Sequence, residues 1–556
     1  MSPCSTDKLL STRAGFYWIF VYYWAAVSAM QSNIAPEGMV VTPHHLATQT
    51  AVKILRDGGT AMEAMVGAAA TIAVVYPHMN SIGGDGFWLI MPPQGDPIAI
   101  EACGAAGSLA TEEFFKGLDK IPSKGPKSAI TVAGTVGGWQ EVLNYVSECG
   151  YHKKSVQNLL ADAIKYAENG FPITETHRNA ITKALNWDKM DNNFANVFLP
   201  DGKRLEVGDK FCQKALAKTL KNLANDGLNS FYNGTVASMI AEDVSILGLP
   251  ITSSDLGSYS PVRRVPLRML HNLGELYNLP PPSQGLASLL ILGILEKLNI
   301  DGKDEREFVY SVVEATKQAF ELRDEYVTDP KYMTIDPKSL LTSKSITTLA
   351  SNINFDHTSS IGKAKGPGDT IWMGAMDKYG FSVAFIQSVY HEFGSGVLLP
   401  KTGILWHNRG VAFSLQKDHI LSVKPGKKPF HTLNLAAVKL HDGRVMIYGT
   451  RGGDGQPQIQ AAIFHRYVVQ KMNLQATLNS PRWIYGGTTG DKNDVLYLEG
   501  RFSEDVIKYL RERGHTVAVW PDYSELVGQA GALVRHTNGM MEGAFDPRSD
   551  GSAAGF

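Results

Sequence analysis

Residues 366–396 read Gly366-Pro-Gly-Asp-Thr370-Ile-Trp-Met-Gly-Ala-Met-Asp-Lys-Tyr-Gly380-Phe-Ser-Val-Ala-Phe-Ile-Gln-Ser388-Val-Tyr-His-Glu-Phe-Gly-Ser-Gly396. Gly366-Pro367-Gly368 is a breaker that continues neither helix nor strand. Past Asp369, Thr370 opens a β-favouring run, Lys378-Tyr379-Gly380 turns the chain, and a second apolar run ends at Ser388. The pattern predicts a hairpin whose first strand begins with a threonine. A threonine hydroxyl attacks poorly unless a base sits beside it. The residue's own α-amine can serve, but only once the preceding peptide bond is cut. The leading expectation is therefore cleavage of Asp369–Thr370, with Thr370 as the resulting nucleophile.

Working outward, the 556 residues exceed a usual domain, a length that α/β enzymes reach as one intertwined unit. Charged residues are 19% and the net charge is -1, so there is no basic field for nucleic acid. A small-molecule substrate fits better. Cys4, Cys103, Cys149 and Cys212 form no CxxC, which indicates neither a zinc site nor a disulfide framework. No P-loop, HExxH or Rossmann glycine fingerprint occurs, and His391-Glu392 lacks the second histidine of a zincin.

Lys8 and Arg13 precede an aromatic-rich apolar run, followed by Val27-Ser28-Ala29. Residues 1–29 fit a secretory leader, a retained anchor, or an extension upstream of a start at Met30. A start near Met30 would mean a cytoplasmic protein; a true leader or anchor would mean a secreted or membrane-attached one. Asn233-Gly234-Thr235 fits a glycosylation acceptor, a triplet common by chance.

Leu46 to Val75 predicts two helices broken at Gly58-Gly59. Phe87–Met91 and Ile98–Ala102 read as partner strands, residues 155–225 as mostly helical, and Leu286–Leu298 and Phe308–Tyr326 as helices. Residues 329–368 are polar without clear periodicity and suit an exposed, mobile lead-in to Thr370. Leu435–Leu440 and Val445–Tyr448 are strands around Asp442-Gly443, and a helix spans Pro457–Met472. Between strand and helix, Gly452-Gly453 offers backbone N–H groups suited to an oxyanion. The alternation supports an α/β or α+β layered fold.

These motifs together resemble the γ-glutamyltranspeptidase family of N-terminal-nucleophile hydrolases. The resemblance runs from about Gly38 to Phe556 and rests on five further stretches beside Gly452-Gly453. These are Ile82-Gly-Gly-Asp-Gly86, Pro280-Pro-Pro-Ser-Gln-Gly285, Gly368-Asp-Thr370, Phe393-Gly-Ser-Gly396 and Asp546-Pro-Arg-Ser549. It implies a four-layer αββα sandwich made as a proenzyme that cuts itself before the threonine. Residues 30–369 would become a large chain and 370–556 a small chain, associated as a heterodimer and open to further dimerisation. A membrane contact would follow only from a retained N-terminal anchor. By the same resemblance Thr370 matches the nucleophile, Ser388 a second threonine whose hydroxyl supports the new N-terminus, and Gly452 and Gly453 the oxyanion hole. The α-amine, with an ordinary pKa of about 8, would serve as base. No metal or organic cofactor is implied.

The departures bear on substrate. Relatives acting on glutathione hold its α-carboxylate with an arginine after the first large-domain strand. Here that region, Glu101-Ala-Cys-Gly-Ala-Ala-Gly107, has none. They hold the α-amino group with an aspartate before a Phe-Ser pair, where Asn408-Arg-Gly-Val-Ala-Phe-Ser414 offers Ala412. His431-Thr432 replaces a serine pair. Losing both zwitterion contacts argues against glutathione. The remaining cationic set, Arg409, Arg451, His391 and His431, with Thr432, is the candidate substrate-binding group. Arg409 suits a small carboxylate held bidentately. The chain looks most like the oxamate amidohydrolase branch, which implies hydrolysis of oxamate to oxalate and ammonia in purine breakdown. A γ-glutamyl hydrolase or transferase, a glutaryl-type acylase, and an uncut, non-catalytic binding protein of the same fold remain open at this level.

Overall fold

The hairpin forms between strands Asp369–Asp377 and Ser382–Tyr390. Its turn is held by Asp377, whose Oδ1 accepts the Tyr379 and Phe381 N–H groups at 3.0 Å each. Gly380 supplies the positive φ of +98°. The other carboxylate oxygen of Asp377 accepts the Ala61 N–H at 2.7 Å, tying the turn to the first helix layer. Both strands are buried on both faces, which is why apolar residues dominate their sequence without alternating. Ile371, Met373 and Ala375 face the helices, while Trp372 and Met376 face a second sheet.

The structure, a computed structural model, describes residues 31–187, 190–362, 364, 368–486 and 494–556. The N-terminal run 1–29 and the breaker residues Gly366 and Pro367 therefore lie outside the described residues. One antiparallel sheet runs, edge to edge, Ser552–Gly555, Gly38–Thr42, Asp369–Asp377, Ser382–Tyr390, Asp85–Met91, Ile98–Ala102 and Val262–Arg264. The second runs Asn33–Ala35, Met541–Phe545, Ala530–Arg535, Val445–Thr450, Ala436–Leu440, Gly274–Asn278 and Leu267–His271. Helices His45–Arg56, Ala61–Val75 and Thr135–Glu148 cover the first sheet, and Gly285–Lys297, Glu305–Tyr326 and Gly455–Phe464 cover the second. This is the four-layer αββα sandwich that the motifs implied. Among the described residues, no helix is long and apolar enough to cross a membrane.

The sheets meet over a core that includes Trp372, Met376, Ile386, Ile447 and Leu533. Their close approach depends on small residues opposite Trp372. A Cβ at Gly449 would stand 2.3 Å from Trp372 Cδ1, and one at Gly531 2.3 Å from its Cζ3. On the outer side, the alanine-rich helix Ala61–Val75 is buried throughout and begins at a Thr60–Glu63 capping box.

Two features differ from the sequence reading. Within the polar stretch 329–368, read as a lead-in without periodicity, helix Ser343–Ser351 inserts Ile346 and Ala350 against Gly285–Lys297, where Gly293 leaves room. Two apolar anchors four residues apart are too few to show a period. The chain also carries an unforeseen small sheet, Trp483–Tyr485, Val495–Glu499 and Thr516–Trp520, with helix Glu504–Glu512.

Candidate active site

Thr370 and Ser388 lie at the same end of the hairpin on the face turned to the second sheet. The ladder slips between Asp369 and Ile371, and such irregularities re-aim side chains near active sites. Thr370 Oγ1 is 3.0 Å from Ser388 Oγ, and Ser388 Oγ donates to the Asp369 carbonyl oxygen at 2.7 Å. The Tyr390 N–H donates to the same Ser388 oxygen at 2.8 Å. A serine hydroxyl has one proton. With that proton on the carbonyl, the Thr370 hydroxyl must donate to Ser388. The arrangement polarises the carbonyl before Thr370 and gives the threonine proton somewhere to go.

The Asp369 side chain is held separately. Arg451 Nη1 donates to Oδ1 at 2.6 Å, and the Glu392 N–H donates to Oδ2 at 2.9 Å. Arg451 Nη2 also donates to the Glu525 carbonyl at 2.9 Å and stands 3.3 Å from its carboxylate. Lys183 bridges Glu392 and Glu525 at 2.7 and 3.2 Å. Lys124 Nζ donates to the Glu392 and Gly394 carbonyls at 2.5 and 2.8 Å. Burial, helped by Glu392, pushes the Asp369 carboxyl up to about 6 even beside Arg451. Burial likewise pulls the Lys124 ammonium down to about 7. Arg451, read from sequence as a substrate-binding residue, is thus occupied by Asp369 and Glu525.

Gly452 and Gly453 join strand Val445–Thr450 to helix Gly455–Phe464 and have φ of +125° and +53°. Side chains strain in that region, so glycine is required there. Gln284, from the proline-rich motif, donates to the Gly453 and Thr432 carbonyls at 2.8 and 2.7 Å. Gln284 Oε1 and Asp454 in turn accept from Arg323 at 2.9 and 3.0 Å. The glycine pair lies against the chain before the threonine, since a Cβ at Gly368 would stand 3.4 Å from Gly453 Cα. Among the described residues neither glycine N–H has a hydrogen-bond partner.

Beside this constellation lies an unsatisfied cation. Arg409 is 1% exposed, and among the described residues neither Nη1 nor Nη2 has a hydrogen-bond partner. Its guanidinium carbon stands 3.9 Å over the Tyr390 ring, whose other neighbour is the stacked His391 ring at 4.3 Å. His391 Nδ1 contacts Asn408 Nδ2 at 3.0 Å. His431 is buried with its Nε2 3.5 Å from Asp85 Oδ2. Burial and the nearby Arg409 hold that imidazole well below its ordinary pKa, so it is neutral and the contact is not an ion pair. Asp85 is held at 3.1 Å from His407 Nδ1. Thr432 Oγ1 is buried without a partner among the described residues. A cavity of about 410 Å³ opens beside Tyr390, Thr432 and Asp454. Cys103 is buried, and its thiol pKa is raised by burial and Glu101.

A family model described as Gamma-glutamyltranspeptidase matches residues 47–556. The chain belongs to the gamma-glutamyltranspeptidase family. Over 525 residues it is 54% identical to the oxamate amidohydrolase proenzyme of Klebsiella pneumoniae, covering 94% of this chain and 99% of that one. It is 37% identical to the glutathione hydrolase-like YwrD proenzyme of Bacillus subtilis, covering 95% of this chain and all (100%) of that one. The solved cephalosporin acylase of Bacillus halodurans superposes with a TM-score of 0.86 at 31% identity, covering 95% of this chain and 97% of that one. The protein is a hydrolase of amide C–N bonds. The turn Arg409–Ala412 is what places the guanidinium in the site.

The site brings together Thr370, Ser388, Gly452 and Gly453 on one side and Arg409, His391, His431 and Thr432 on the other. Tyr390 links them, with its N–H on Ser388 and its ring under Arg409. Sequence reasoning missed Tyr390, Gln284 and the Asp369 clamp. A tyrosine with φ of +80° carries no sequence signal, and Glu525 and Lys183 are remote in the chain.

Proposed function

We propose that this protein is a proenzyme that cuts its own Asp369–Thr370 bond and then hydrolyses oxamate, or a closely related small carboxyl-amide. In the first step Thr370 Oγ adds to the Asp369 carbonyl carbon, the C–N bond breaks, and the proton passes to the freed α-amine. Water then hydrolyses the resulting ester, leaving a large chain 30–369, or 1–369 if the N-terminal run is kept, and a small chain 370–556. In turnover the α-amine takes the hydroxyl proton as Thr370 attacks the substrate amide. The Gly452 and Gly453 N–H groups face the oxyanion. Ammonia leaves with the proton, and water releases oxalate from the acyl ester. The two chains work as a heterodimer, because each sheet is built from strands of both.

The observation that carries this reading is the buried Arg409 guanidinium, without a hydrogen-bond partner among the described residues and one residue contact away from the Thr370–Ser388 pair. A buried cation with open donors calls for an anion. Substrate carboxylate supplies one, as the name of the 54% identical relative suggests. The test is intact mass followed by ammonia release from oxamate, set beside cleavage of a γ-glutamyl anilide. A Thr370 N-terminus with oxamate turnover is expected. Anilide cleavage without ammonia release from oxamate would refute the substrate, and a folded but uncut chain would refute the mechanism.

A further inference from the structure

We propose that the Asp369 carboxylate is a positioning group for self-cleavage, and that Arg451 serves the uncut chain by gripping it. The inference rests on the self-cleavage reading above. A free aspartate before the scissile bond would swing with the backbone. Here both carboxylate oxygens are taken, one by Arg451 at 2.6 Å and one by the Glu392 N–H at 2.9 Å. The two partners are not arbitrary. Arg451 directly precedes the glycine pair, and Glu392 stands four residues past Ser388. The side chain of Asp369 therefore fixes its own carbonyl relative to the hydroxyl that polarises it and the N–H groups that would receive its oxyanion.

Both partners are themselves braced. Glu525 holds Arg451 through a backbone carbonyl and a carboxylate, Lys183 ties Glu525 to Glu392, and Lys124 fastens the Glu392 and Gly394 carbonyls. Burial costs the carboxylate, whose pKa stays raised beside a guanidinium. A placement that is unfavourable for the acid alone and satisfied at both oxygens points to geometry as its use. Asp369 touches none of the groups assigned to turnover except through the bond to be cut. Its role should end with the cut.

The experiment follows cleavage of the full chain over time by gel and intact mass, in wild type, Asp369→Ala, Asp369→Asn and Arg451→Met. Asp369→Ala should cut about 10- to 100-fold more slowly, the scale on which misplacement of a reacting group acts. Asp369→Asn should fall between, because an amide oxygen still accepts the Glu392 N–H while the charge for Arg451 is gone. Arg451→Met should slow the same step. Once cut, the Asp369→Ala protein should turn over substrate within about twofold of wild type per small chain, a split that general misfolding would not give. Melting temperature in a Thr370→Ala background separates loss of fold from loss of position. Cleavage of Asp369→Ala at the wild-type rate, in a chain whose wild type cuts, overturns this inference alone. A wild type that never cuts overturns the self-cleavage reading and the inference with it.

Discussion

Replacing Arg409 with methionine should make the protein more stable and nearly inactive. The guanidinium is 1% exposed, and both terminal nitrogens lack partners among the described residues. Taking an unpaired charge out of water costs several kcal/mol even after relaxation. The Tyr390 ring at 3.9 Å returns about 2 kcal/mol as a cation–π contact. Methionine fills a similar volume without that cost, so a net gain of about 1–3 kcal/mol is expected. For a chain of this length, unfolding entropy converts each kcal/mol into roughly 1 °C. Differential scanning should therefore show the melting temperature of Arg409→Met rising by about 1–3 °C. Two charge-assisted hydrogen bonds to a substrate carboxylate are together worth about 4 kcal/mol. Their loss should lower kcat/KM for oxamate about a thousandfold. Oxalate at about 100 times its Kd should add roughly 2.7 kcal/mol to the wild type and nothing to the variant. A variant that melts lower, keeps its kcat/KM and still responds to oxalate would refute the reasoning. Arg409 would then be a structural cation.

Ser388→Ala removes the donor at 2.7 Å from the Asp369 carbonyl and the acceptor for the Thr370 proton. Self-cleavage followed by gel should slow by about 100-fold, while Ser388→Thr should keep most of the rate. Burial and Glu392 push the Asp369 carboxyl up to about 6, where it faces Arg451, Glu392, Lys183, Glu525 and Lys124. Protonation removes its charge from Arg451, so the cleavage rate should fall as pH drops through about 6. A flat profile across that range would exclude the ion pair from the step. Gly449→Ala would place a Cβ 2.3 Å from Trp372 Cδ1, between the sheets. Denaturant unfolding should show a loss of about 1–3 kcal/mol.

The hairpin was legible because its signals are local. Two apolar runs flank an Asp-Lys-Tyr-Gly turn, and burial on both faces explains why no polar alternation interrupts them. Thr370, Ser388 and the glycine pair stood out through the family resemblance, and the structure sets them close together. Arg451 shows the limit. Its charge and its place beside Gly452 suggested substrate, but its partners lie 82 and 74 residues away, and no sequence register announces such pairs. Helix Ser343–Ser351 was missed for a different reason: its two anchors depend on a neighbouring glycine in another helix to make space. Arg409 fell between these cases. Its residue type hinted at an anion, but only burial and open donors make it unusual.

The place of strand Asp369–Asp377 has a consequence for the order of events in the life of the chain. It pairs with Gly38–Thr42 on one side and, through its hairpin partner, the hairpin abuts Asp85–Met91 on the other. A piece beginning at Thr370 and made by itself would present two unpaired ladder edges, each a template for joining other chains. While the chain is continuous, finding those neighbours is a unimolecular search. After a cut it becomes a meeting of two molecules, dependent on concentration and open to aggregation. Sheet order thus makes the nick a one-way door: the fold must be complete before it, and heat-denatured cut protein has lost the tether that first guided its strands home.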